Sequence, residues 1–282
     1  MPELPEIETI RLYLHKHLIG KTINGTEIRE HKMFHGDPND IFDTTIIDTQ
    51  RKGKILTLKL EKNNDILYLS FHLKLSGQIL YAQHKEKAQF SHKIPLANSD
   101  RMPAKTTRVI FFFTDNSALF FNDLRKFGWA KVSDKPKQPQ GEDVLSERFT
   151  SAYLDKALSH TKRPVKTVLL DQEIIAGIGN IYANDALWES LIYPARPSNT
   201  LSKQEKTVLY QAIKKVVGEG ITYKGSSAKD ELYVLPDGTA GGYQHHFRVY
   251  HRQGQECKRC KTLIETMKIG GRGTFYCPHC QT

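Results

Sequence analysis

Four cysteines crowded into the last 26 residues constrain this chain more than any other feature. They are spaced Cys257-x2-Cys260, then sixteen residues, then Cys277-x2-Cys280. Each CxxC puts two thiolates on one tight turn, and two such turns on a hairpin complete a tetrahedral Zn²⁺ site. A closed four-thiolate site has no open coordination position, so one structural zinc ion is expected, with no catalytic part. A redox pair, unliganded thiols, or His279 as a ligand are the competing readings. Between the knuckles runs Lys268-Ile-Gly-Gly-Arg-Gly-Thr-Phe275, where Arg272 and glycine amides can converge on a phosphate. A solvated basic hairpin is the plainer alternative.

The rest of the chain is far too long to be organised by that hairpin alone. At 282 residues it predicts more than one domain. Residues 2–18 carry Ile7, Ile10, Leu14 and Leu18 at three- and four-residue steps, the period of an amphipathic helix, with Pro5 in its first turn. From about 21 to 132 short β runs take over: 54–60, 66–71, 109–113 and 118–121. Asn63-Asn64-Asp65 and Thr114-Asp115-Asn116 mark turns between them, which predicts an antiparallel sandwich or barrel. Residues 84–107 read as a long loop. The polar stretch 133–143 reads as a linker, and helical periods follow near 147–160, 164–175, 179–190 and 202–219. The expected class is α+β and multidomain: an N-terminal helix plus antiparallel β-sandwich over 2–132, a helical domain over 144–242, and a zinc-binding β-hairpin over 243–282.

Charge suggests the partner. Lys plus Arg number 41 against 31 Asp plus Glu, a net +10, which favours a polyanion such as nucleic acid. The longest apolar run is the five residues Val109–Phe113, too short for a membrane span, and Met-Pro-Glu-Leu-Pro-Glu is no signal peptide. A cytoplasmic monomer with no membrane partner is expected, its thiols reduced.

The N-terminus has its own chemistry. Loss of Met1 would expose Pro2, a secondary amine whose pKa near 8 leaves an appreciable neutral, nucleophilic fraction. Such an amine condenses with an aldehyde carbon to an iminium ion. Glu3 follows as a candidate general acid, and Glu6 lies one turn on, within reach of the terminus. A capped helix start, with proline and acids in the first turn, accounts for the same residues.

The segment Pro2-Glu-Leu-Pro-Glu-Ile-Glu-Thr9 resembles the start of the formamidopyrimidine-DNA glycosylase family (Fpg/Nei, helix–two-turn–helix), and its Glu-Leu-Pro opening favours the Fpg branch. Four further segments agree in order: Lys54 after Arg51-Lys-Gly, Asn122-Asp-Leu-Arg-Lys-Phe-Gly128, Gln172-x3-Ala-Gly-Ile-Gly-Asn-Ile-Tyr182, and the cysteine hairpin. The resemblance implies a base-excision-repair glycosylase and AP lyase acting on damaged double-stranded DNA. In it, Pro2 forms a Schiff base with C1′, Glu3 protonates the sugar ring oxygen, and β,δ-elimination follows. It implies that Lys54, Asn180 and Arg272 grip phosphates, and that Leu75, Arg125 and Phe127 fill and wedge the duplex once the base is flipped out. Alone, Lys54 reads as a solvated strand lysine, Asn180 as a helix cap and Arg272 as a surface residue. Four departures from the family pattern bear on substrate: Leu75 for a methionine, Lys105-Thr-Thr-Arg108 for a histidine pair, Asn184-Asp185, and a loosely matching Gly225–Asp230 loop. A non-catalytic binder of damaged DNA and a relative acting on oxidised pyrimidines or bulkier lesions are the alternatives.

Overall fold

The computed structural model describes residues 2–227 and 232–282. Two compact units form, one from Met1–Gln138 with Tyr223–Gly242, the other from Pro139–Thr222 with Tyr243–Thr282.

The first unit opens with helix α1 (Leu4–Leu18), which buries Ile7, Ile10, Leu14 and Leu18 as the period requires. Its strands are β1 (Ile23–Ile28), β2 (Phe34–His35), β3 (Thr45–Lys52), β4 (Ile55–Lys62), β5 (Asp65–His72), β6 (Gly77–Ala82), β7 (Gln89–Ile94), β8 (Ser99–Arg101), β9 (Thr107–Phe113), β10 (Ala118–Asp123) and β11 (Trp129–Ser133). One sheet has the order β1-β9-β10-β6, the other β2-β11-β5-β4-β3. All pairings in these sheets are antiparallel except the short parallel pair β2–β11. Phe111, Phe113, Leu119, Phe121 and Ile79 from the first sheet meet Leu56, Leu58, Leu69 and Phe71 from the second in one core, so the architecture is a sandwich. Asn63 and Asn64, both at positive φ, make the two-residue β4–β5 turn, and Lys62 pairs with Asp65 across it.

Residues 84–107, expected as a loop, contain the β7–β8 ribbon instead. The cause is the back of the four-stranded sheet. Leu80, Ile110 and Phe120 point away from the main core and are covered by Phe90 and Ile94 from β7. Two covered faces also explain why β9 reads as an unbroken apolar run. Residues 223–242, expected with the helical domain, return to this unit because Tyr233 and Leu235 are buried in the sandwich core.

The second unit holds β12 (Glu142–Asp143), α2 (Ser151–Ser159), α3 (Val165–Leu169), β13 (Ile175–Ala176), α4 (Asn180–Glu189), α5 (Lys203–Thr222) and the hairpin β14 (Glu265–Ile269) and β15 (Arg272–Tyr276). The expected linker 133–143 is therefore shorter: Ser133 ends β11 and Glu142–Asp143 pair in parallel with β13. The helix expected over 164–175 stops at Leu169, because Ile175–Ala176 are taken into that pairing. Ser202 and Glu205 cap α5 reciprocally, with Glu205 N–H donating to Ser202 Oγ (3.2 Å) and Ser202 N–H to Glu205 Oε2 (2.7 Å). Gly270 and Gly271, both at positive φ, turn the hairpin, which brings Ile269 opposite Arg272.

Candidate active site and nucleic-acid contacts

Glu3 is the N-cap of α1, and it and Glu6 form a reciprocal capping box in which the Glu3 N–H donates to Glu6 Oε2 (2.8 Å). The other Glu6 oxygen accepts from the Ser226 N–H (2.8 Å). Both carboxylates are buried, Glu6 to 1% exposure. A surface helix cap has no need of that burial, since solvated acids serve the helix dipole equally well. Gly225, at φ +77°, makes the approach possible, because a Cβ there would sit 2.8 Å from Glu6 Cγ and 3.0 Å from the Tyr233 ring. Burial, with the nearby charge of Glu6, pushes the Tyr233 phenol well above its usual range. Pro2, Glu6, Leu75, Ser76, Gly77, Leu232 and Tyr233 line one small cleft. Residues 228–231, which include the end of the Gly225–Asp230 loop, lie outside the described residues, as does Met1.

Lys54 follows the Gly53 turn that joins β3 to β4 and is only 5% exposed, so it is no solvated strand lysine. Across β4, Ile55 pairs with His72. Burial, with the charges of Lys74 and Lys54, pushes His72 down to about 3. Its Nδ1 accepts the Lys74 N–H (3.1 Å), which fixes the neutral tautomer with hydrogen on Nε2.

Asp123 organises the loop between β10 and β11, a role that sequence reasoning missed. Its carboxylate is fully buried and accepts from the N–H groups of Arg125 (3.1 Å), Phe127 (2.9 Å) and Gly128 (2.7 Å). The Ser76 hydroxyl also donates to it, and Arg125 N–H donates to Ser76 Oγ (3.0 Å). Ser76 follows Leu75 directly, so this clasp ties the Leu75 turn to the Arg125–Phe127 loop. Leu75 and Phe127 stay 40% and 57% exposed. The Arg125 guanidinium lies 5.0 Å from the centre of the Phe127 ring. Arg108, one of the departures, donates from Nε to the Asp123 carbonyl (2.8 Å) and so braces the same loop.

In the second unit, Asn180 opens α4 after Gly179, and its Nδ2 donates to the Gly273 carbonyl (3.0 Å). That contact places Asn180 beside exposed Arg272 on the hairpin. Lys166, fully buried and also missed from sequence, donates to the same carbonyl and to Thr274 Oγ1, both at 2.8 Å. Asn184, another departure, binds the Asn180 carbonyl (2.6 Å) through Nδ2 and accepts the Phe275 N–H (2.8 Å).

The Sγ atoms of Cys257, Cys260, Cys277 and Cys280 lie within 4.8 Å of one another, with pairs at 3.4 and 3.9 Å. Tetrahedral Zn–S bonds of about 2.3 Å require S···S near ~3.8 Å, so the four thiols fit one structural Zn²⁺. His279 is not among the converging donors. Trp188 Nε1 donates to Cys257 Sγ (3.4 Å), which supports the cluster from α4.

Three family models match the chain: a formamidopyrimidine-DNA glycosylase N-terminal domain over 1–130, the H2TH domain of the same glycosylases over 140–231, and a zinc finger found in FPG and IleRS over 254–282. A formamidopyrimidine-DNA glycosylase of Shouchella clausii is 38% identical, across 100% of this chain and 99% of the relative. One from Exiguobacterium is 36% identical over the same shares. The MutM (FPG) structure from Thermus thermophilus superposes with a TM-score of 0.84 at 31% identity, covering 99% of this chain and 98% of that one. A Lactococcus lactis FPG variant in complex with Fapy-dG containing DNA gives 0.84 at 28% identity, covering both chains fully. No helix among the described residues is long and apolar enough to cross a membrane.

Proposed function

Since this chain belongs to the formamidopyrimidine-DNA glycosylase family and is a base-excision-repair glycosylase and AP lyase of oxidised purines, we propose that its chemistry runs on the residues gathered at the start of α1. The observation that carries this is the buried carboxylate pair Glu3 and Glu6, fixed to the helix start and to Ser226 around Pro2. With Met1 removed, the Pro2 nitrogen attacks C1′ of the damaged nucleotide while the C1′–base bond breaks and the base departs with a proton. Glu3 delivers a proton to the ring oxygen, the sugar opens, and the C1′–nitrogen bond becomes an iminium. That electron sink acidifies C2′. Loss of its proton expels the 3′ phosphate, and loss of the C4′ proton then expels the 5′ phosphate. Glu6 acts as a positioning residue, holding the Glu3 backbone N–H and hence the angle at which Pro2 meets the sugar.

Lys54, Asn180 and Arg272 grip backbone phosphates. Leu75, Arg125 and Phe127 enter the duplex, Phe127 as wedge and Arg125 as polar contact to the orphaned base. The enzyme acts on duplex DNA as a monomer in the cytoplasm, associated with the nucleoid. Borohydride trapping on an abasic duplex tests the nucleophile. Pro2→Gly is expected to lose the trapped adduct and keep DNA binding, and an adduct mapped to a lysine side chain would overturn the assignment.

Base choice follows the departures. Leu for Met is nearly volume-conserving and costs under about 1.5 kcal/mol, so wedging survives at Leu75. The loop at Gly225–Asp230 matches its family only loosely. Ring-opened purines are therefore excised well and 8-oxoguanine poorly. Equal single-turnover rates on the two bases opposite cytosine would refute this.

A further inference from the structure

We propose that a cleft on the outer face of the five-stranded sheet, lined by His35, Trp129, Lys131 and Lys137, is a further DNA contact that holds a flanking nucleotide. The cleft is open and has a volume of about 310 Å³. Parallel pairing of β2 with β11 sets His35 beside Lys131. Lys137 is brought over the sheet by the chain leaving β11, where its N–H donates to Ser70 Oγ (3.3 Å). No carboxylate lines the cleft, and among the described residues neither Lys131 nor Lys137 is ion-paired to an acid. Two ammonium groups beside an indole face are the elements that hold single nucleotides: cations for phosphate and a ring for stacking a base.

Position selects DNA over other anions. Trp129 follows Phe127 by two residues, so the strand that presents the proposed wedge continues directly into the cleft. Trp129 also pairs with His72, and His72 with Ile55, next to Lys54. Two strand spacings make that separation about 10 Å, roughly three nucleotide rises along a strand. The Trp129 and His72 rings lie 5.9 Å apart on the face of the sheet that carries the cleft. We place the cleft two or three nucleotides from a lesion whose flanking phosphate Lys54 grips. This inference rests on the proposed phosphate contact of Lys54 and wedge of Phe127.

The experiment measures binding of full-length zinc-loaded protein to abasic-analogue duplexes against salt. One duplex has long flanks, and two others are trimmed to two base pairs on either side in turn. Replacing both lysines (Lys131→Ala with Lys137→Ala) is expected to lower the salt slope by about 1.4–1.8 on the long duplex, the release expected for two phosphates. Trp129→Ala weakens that binding about tenfold and removes the DNA-dependent quenching of its fluorescence. Trimming one of the two sides is expected to abolish every one of these differences. Unchanged slope, affinity and quenching would overturn the proposal, as would equal losses on all three duplexes. Borohydride trapping by the unsubstituted protein, run alongside, separates the two failures. Lost trapping sinks the catalytic reading, whereas intact trapping with indifferent variants sinks the cleft alone.

Discussion

Asp123→Asn tests whether an ordered wedge loop, and not its exposed tip alone, drives base extrusion. The buried carboxylate takes four donors: the N–H groups of Arg125, Phe127 and Gly128, and the Ser76 hydroxyl. Asparagine keeps the size but offers one acceptor oxygen. In its better orientation that oxygen faces Phe127 and Gly128, while the amide donates to Ser76 Oγ and the Arg125 N–H keeps its own bond to Ser76. Three charge-assisted bonds then become neutral and one is lost. With charged bonds worth about 1.5–3 kcal/mol and neutral ones about 0.5–1.5, the change costs about 4–7 kcal/mol. In a unit of this size that lowers Tm by about 10–25 °C. Asp123→Ala leaves the Phe127 and Gly128 donors unpaired and costs more. The assay compares single-turnover excision of a damaged base with cleavage at a preformed abasic site, where little unstacking remains to be done. Excision should fall at least about tenfold, which corresponds to 1.4 kcal/mol, and abasic cleavage should fall far less. Equal losses on both substrates, or wild-type excision despite the lowered Tm, would show that loop order does not limit extrusion.

Gly225→Ala forces a side chain into positive φ and sets its Cβ against Glu6. Left-handed strain and overpacking together cost about 2–4 kcal/mol, so calorimetry should show a lower Tm and trapping should slow through displaced Glu6. Cys277→Ser is expected to release zinc, measured by a chromogenic chelator, and to abolish tight DNA binding while the sandwich still melts cooperatively. For His72, the folded pKa of about 3 lies below the usual 6.5. The unfolded chain therefore binds more protons between those values, and stability falls as pH drops from 6.5 toward 3. His72→Asn keeps an acceptor for Lys74 N–H without titrating, so its Tm should decline less steeply over that range.

The parts of the fold that could be read from sequence are those set by neighbours in the chain. Helix α1 follows from the spacing of Ile7, Ile10, Leu14 and Leu18, and the β4–β5 hairpin from Asn63-Asn64. Cysteine spacing alone located the metal cluster. The parts that could not be read depend on distant partners. Phe90 and Ile94 are isolated apolar residues in a polar stretch, and only the exposed back of β6, β9 and β10 gives them a reason to form strands. A helix through Ile175 is reasonable until Glu142–Asp143 offers it a parallel partner. Tyr233 and Leu235 send residues 223–242 back to the sandwich through burial that no local pattern encodes.

The same division runs through the site. Pro2, Glu3 and Glu6 suggest chemistry from sequence because a secondary amine and two carboxylates lie within one helical turn. What holds them is remote: Ser226 reaches Glu6 across 220 residues, and Ser76 reaches Asp123 across 47. These supports use buried carboxylates, and burial is the property that a sequence conveys least. Asp123 lies inside the Asn122–Gly128 segment, where nothing local signals its burial. Its measure is the count of donors it accepts, because an unpaired carboxylate at zero exposure would be expelled or neutralised. Leu75 and Phe127 gain meaning by the same route. An apolar side chain held in water by a hydrogen-bonded loop gains by burial, which is what the proposed insertion between bases would supply. Arg108, a departure from the family pattern, is legible only through the fold as well, since its Nε donates to the Asp123 carbonyl and so braces the loop from β9.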